Sequence, residues 1–85
     1  MIRNFWDEKW KSIYFDDGIA DNEFFKISNY GRIINCKNDN EFLVKKTYIN
    51  GYQNLRLKQK NNGKQTSRYV HKLVAQHFLE QNNGI

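Results

Sequence analysis

The spacing of apolar residues changes period along this chain, and each change marks an element. From Tyr52 to Lys58 it has the two-residue period of a strand. Gln53, Leu55 and Leu57 fall on one side, and Tyr52, Asn54, Arg56 and Lys58 on the other. Lys60-Asn61-Asn62-Gly63-Lys64 reads as the turn of a hairpin, and Thr66 to Tyr69 as its return strand. The period then lengthens. Val70, Leu73, Val74 and His77/Phe78 recur at i, i+3, i+4 and i+7/8, the single buried stripe of a helix from about Val70 to Leu79. So short a helix is unstable alone and must pack on the sheet. Asn82, Asn83 and Gly84 supply stop signals.

Upstream, residues 24–36 (FFKISNYGRIINC) predict another hairpin. Phe25 and Ile27 share one face, while Asn29-Tyr30-Gly31 form the turn and Gly31 is suited to positive φ. Residues 37–41 read as a polar turn, residues 42–49 (FLVKKTYI) as a third strand, and Asn50-Gly51 as a turn. Residues 1–15 leave two readings open: a short helix capped by Asn4, or a strand from Trp10 onward. Trp6 and Trp10 are expected to anchor the core. Residues 16–23 (DDGIADNE) predict a solvated acidic loop, because the acids do not have the spacing of an EF-hand. Together the elements predict one α+β domain over residues 1–85: a small antiparallel sheet built from hairpins, packed against one C-terminal helix.

Composition adds two constraints. Eighty-five residues suffice for one small core, and an aromatic content of 15% enlarges what that core can bury. A single cysteine, Cys36, excludes an intramolecular disulfide and a Cys-rich zinc site. No run approaches a membrane span, and the first 25 residues lack the apolar run of a signal peptide. The expected location is the cytoplasm.

Charge changes the picture more. The net charge is +5, but residues 1–25 hold three basic and six acidic residues, against eleven basic and three acidic in residues 26–85. A basic body with an acidic leading segment implies an anionic partner.

Candidate chemistry points away from catalysis. His71 and His77 are six apart, roughly 240° around a helix, and do not face one ligand. His71 is expected to orient the hairpin–helix junction through a hydrogen bond, and His77 to sit beside the core. Cys36 lacks a nucleophile signature, the serines lie in no elbow, and the five glycines are scattered. No catalytic residue, metal site or cofactor is expected. A nucleic-acid surface fits better. The row Asn54, Arg56 and Lys58 would line an open sheet face, extended by Lys26, Ser28 and Arg32, with phosphate contacts from Lys60, Lys64 and Arg68.

Two stretches resemble a known family. WKSI from Trp10, followed by FFKISNYGRIIN, resembles the nuclease-associated modular domain of HNH homing endonucleases. Phe25, Ile27, Ser28, Asn29, Gly31 and Arg32 match its aromatic-x-Ile-Ser-Asn-x-Gly-Arg core. The acidic insertion, Asp16 to Glu23, departs from the usual Pro-Gly-Tyr-Glu-Gly wording. The run GYQNLRLKQKNNGKQTSRYVHKLVAQHF resembles the opening hairpin and helix of the HNH domain, through Gly51, Tyr52, Leu57, Gly63, Lys64, Val70, His71, Leu73, Val74, Ala75 and Phe78. Residues 10–49 are thus similar to the module and residues 50–83 to the HNH opening. The family's catalytic segment, with its divalent cation, would follow Ile85, so His71 inherits no catalytic role.

The resemblance implies a non-catalytic module that binds duplex DNA, of phage or mobile-element origin and derived from an HNH endonuclease. Two alternatives stand beside it. One is a phage-encoded protein that inhibits a host defence protein or nuclease, its acidic segment mimicking phosphate. The other is an HNH endonuclease fragment whose catalytic half is lost or supplied in trans.

Overall fold

A computed structural model describes residues 3–37 and 40–79. Seven strands and one helix follow in order: β1 (Trp10–Ser12), β2 (Phe25–Ser28), β3 (Ile33–Asn35), β4 (Phe42–Leu43), β5 (Thr47–Ile49), β6 (Tyr52–Lys58), β7 (Gln65–Tyr69) and α1 (Val70–Phe78). The fold is α+β, with two antiparallel sheets in place of the one expected. The strand orders are β1-β2-β3-β4 and β5-β6-β7.

The division falls inside the segment expected to be a single third strand. Val44 still donates to the Ile33 carbonyl at 2.8 Å, beside the β3–β4 pair. Three residues later, Thr47 pairs with Asn54 of the second sheet. Lys45 and Lys46 carry the chain across, and both are exposed.

The leading segment resolves toward the strand reading. β1 begins at Trp10 and pairs with β2, while residues 3–9 form an irregular strap that turns at Asp7 (φ 61°). Asn4 caps no helix; its Oδ1 accepts from the Trp10 indole at 2.9 Å. The tryptophans are not core anchors: Trp10 is half-buried and Trp6 is 87% exposed.

Residues 16–23 are less solvated than expected. Ile19 and Glu23 are buried, and Ile19 bridges to Gln59. Ala20 donates to the Lys58 carbonyl and Lys60 to the Gly18 carbonyl, both at 2.9 Å. Beyond Asn54, β6 has no β5 partner, so the loop pairs the end of an otherwise open edge.

One core joins the two sheets and the helix. Ile13, Ile19, Phe25, Ile27 and Ile33 meet Leu55, Leu57, Val70 and Leu73, with Phe15, Val44, Val74 and Phe78 packed around them. The helix lies on β6 and β7 and reaches β2. Leading-segment groups hold its C-terminal end: Lys11 Nζ donates to the His77 carbonyl at 2.6 Å, the Tyr14 amide donates to His77 Nε2 at 2.9 Å, and Gln76 donates to the Tyr14 carbonyl at 3.0 Å. An ammonium at the negative end of a helix is favourable. His77 thus lies beside the core as expected. The His71 side chain makes no hydrogen bond among the described residues and meets the Tyr52 and Tyr69 rings at 5.4 and 5.6 Å. The stop signals at Asn82, Asn83 and Gly84 lie outside the described residues. Among those residues, no helix is long and apolar enough to cross a membrane.

Candidate nucleic-acid interface

The first hairpin carries the Ile-Ser-Asn-x-Gly-Arg pattern, and its polar groups turn inward. Gly31 takes a positive φ of 84° at the turn. Ser28 Oγ accepts from the Tyr30 amide at 3.1 Å and the Arg32 amide at 3.2 Å. Asn29 Oδ1 accepts from the Lys9 amide at 2.8 Å, and its Nδ2 donates to the Asp7 carbonyl at 3.3 Å. The Tyr30 hydroxyl donates to the Trp6 carbonyl. Arg32 grips both Glu8 oxygens and donates to the Arg3 carbonyl at 2.7 Å. Its guanidinium lies over the Phe5 ring, 4.0 Å from the centroid. These bonds pin the 3–9 strap to the hairpin. They also spend Arg32, which was expected to extend a nucleic-acid face.

Other expected contacts are spent in the same way. Lys26 pairs with Glu41 at 3.7 Å, and Lys60 with Asp21 at 3.3 Å. Arg68 binds Asp16 through two hydrogen bonds of 2.8 and 3.0 Å. It also lies on the face opposite Arg56. It is the register partner of Leu55, whereas Arg56 is opposite Ser67, so Arg68 and Arg56 project from opposite sides of the sheet. The acidic leading segment is therefore the partner of the chain's own cations: Asp16, Asp21 and Glu23 hold Arg68, Lys60 and Lys37. Hydrogen bonds from Arg68 draw the Asp16 carboxyl down to a pKa of about 2.

Asn54 does not stand on an open row. It is the register partner of Thr47 on one side and Tyr69 on the other, and between those neighbours it is only 5% exposed.

Arg56, Lys58 and Lys64 are exposed, and among the described residues none of their side-chain charges is paired with an acid, although the Lys58 backbone N–H donates to Glu23 Oε2 at 2.7 Å. The structure adds Lys45 and Lys46, also exposed and unpaired among those residues, from the β4–β5 crossing. Lys45 and Arg56 line one hollow. The sequence signal was the Lys-Lys pair inside an otherwise β-prone run, which marks the break between the sheets. Five cations on or beside one sheet can neutralise phosphates and release counterions.

Among the described residues, no three His, Cys, Asp or Glu side chains converge as a metal site. Burial pushes the Cys36 thiol up, with Glu41 adding to the shift, so the nucleophilic thiolate is disfavoured.

A family model, the NUMOD4 motif, matches residues 8–69. The chain belongs to the NUMOD4 family. NUMOD4 is a nuclease-associated modular domain found with HNH endonucleases, which agrees with a DNA-related module. The match extends from the Glu8 strap anchor through both hairpins to Tyr69, at the end of β7. No curated protein and no solved structure matches the chain.

Proposed function

We propose that this NUMOD4 chain is a non-catalytic module that binds duplex DNA through its second sheet, using Arg56, Lys58 and Lys64 together with Lys45 and Lys46. One observation carries this reading. These five cations lack acidic partners among the described residues, whereas Lys26, Arg32, Lys60 and Arg68 are neutralised within the fold. Arg56 and Lys58 alternate with Leu55 and Leu57 along β6, so burying the leucines presents the cations. A strand ribbon carrying such a row can enter a groove while the flanking lysines contact the backbone.

The internal pairing of Asp16, Asp21 and Glu23 supports this reading over phosphate mimicry toward a host protein. The likeness of residues 50–83 to an HNH opening, and an origin in a phage or mobile element, are parts of the same proposal.

The test is a titration of the full chain with duplex DNA at several salt concentrations. Binding should weaken linearly on logarithmic axes with a slope of several phosphate contacts. Absence of binding at low salt refutes the reading, and magnesium-dependent cleavage by the chain refutes its non-catalytic part.

A further inference from the structure

We infer that the hollow between the two sheets is a binding site for one phosphoryl group. The hollow, of about 220 Å³, is lined by Asn35, Lys37, Lys45, Thr47, Asn54 and Arg56 among others. Its polar groups are predominantly donors. Lys45 and Arg56 bring charges that no described acid neutralises, while Lys37 is held by Glu23 at 2.8 Å.

Asn54 supplies the independent observation. It is nine-tenths buried. Thr47 Oγ1 has one hydrogen, which it gives to the Asn54 carbonyl at 3.0 Å; its approach to Asn54 Oδ1 is longer, at 3.4 Å. The Asn54 amide nitrogen has two hydrogens, of which the Thr47 hydroxyl oxygen can take at most one, and it meets no other acceptor among the described residues. A buried donor left unmatched is unfavourable, and an acceptor placed in the hollow relieves it. Asn35, also in the lining, adds a second amide: its Oδ1 is occupied by the Lys37 backbone N–H at 2.9 Å, and its nitrogen meets no acceptor among the described residues. Two amide donors, an ammonium and a guanidinium around one space call for a compact, multiply accepting anion, and a phosphoryl group meets that description.

The source is either a backbone phosphate of nucleic acid or a free phosphorylated molecule. Only the first source rests on the DNA reading above. The experiment follows the Asn54 side-chain amide signals of the ¹⁵N-labelled full chain by NMR. Titrants are inorganic phosphate, sodium chloride at matched ionic strength, and a short DNA duplex. Saturable shifts with phosphate and not with chloride are expected. Lys45→Ala, at an exposed position, should weaken phosphate binding about tenfold, in line with a hydrogen bond between charged groups. Asn54→Asp, which puts a carboxylate in the hollow, should abolish it.

Shifts with both phosphate and duplex assign the site to the nucleic-acid backbone. Shifts with phosphate while the duplex does not bind uphold the site and refute the DNA reading. A duplex that binds while phosphate and duplex alike leave the Asn54 amide unmoved overturns the site and spares the DNA reading. Silence toward both ligands overturns both.

Discussion

Arg32 holds both oxygens of the Glu8 carboxylate, with Nε 2.8 Å from Oε2 and Nη2 on Oε1. The Glu8 side chain has no solvent exposure. The Arg32 hydrogen bonds are the largest cause holding its pKa down, from 4.5 to about 2, against the opposing effect of burial. The folded state therefore binds a proton less readily than the unfolded chain. The pair's stabilisation is complete above the unfolded value and is lost as pH falls through the folded one. Stability should decline between about pH 4.5 and about pH 2. Asp16 contributes in a similar window, from 3.8 to about 2. Urea midpoints measured across that range should show a shallower acid decline in Glu8→Gln than in the parent chain. Equal declines would exclude Glu8 as a source.

Arg56→Ala combined with Lys58→Ala should lower duplex affinity and reduce the salt slope by about two, one for each phosphate no longer neutralised. Arg68→Ala should leave the salt slope unchanged and reduce thermal stability, because its partner is Asp16. Fluorescence anisotropy across a salt series, with melting curves of the same variants, separates the two outcomes.

Removing the internal acids should have the opposite effect. Asp21→Asn and Glu41→Gln free Lys60 and Lys26, whose pairs are exposed and weak. Each substitution should leave the melting temperature nearly unchanged. If the freed lysine reaches the backbone, the salt slope should rise by up to about one. An unchanged slope in both variants would place these lysines away from the DNA.

Leu57 is 2% exposed in the core shared by the second sheet and the helix. Leu57→Ala should cost about 2–5 kcal/mol, from the forfeited transfer energy and the cavity left behind. That is a large fraction of the stability of so small a domain. Chemical denaturation followed by circular dichroism would measure it, and a loss well under 1 kcal/mol would place Leu57 outside the cooperative core.

Gly31 has φ +84°, and a Cβ there would meet Val70 Cγ1 at an ordinary 3.8 Å. Gly31→Ala should therefore cost only the left-handed backbone strain, about 1–2 kcal/mol, without steric disruption of the hairpin. A much larger loss of denaturation free energy would mean that the turn cannot accept a side chain for some other reason.

The local periods were legible without the fold. Alternation around Leu55 and Leu57 marked β6, the longer period through Val70, Leu73 and Val74 marked the helix, and Gly31 marked its turn. Each depends only on residues near one another in the chain and on which side of an element they fall. The tertiary structure decided which cations face outward. Glu8 and Arg32 are 24 residues apart, and Asp16 and Arg68 are 52 apart, so no local spacing reveals that these charges cancel. It also decided that Lys45 and Lys46 cross between sheets, and that Asn54 is covered. The groups flanking Asn54, Thr47 and Tyr69, arrive on two other strands, and strand register, a property of the assembled sheet, sets what a side chain meets.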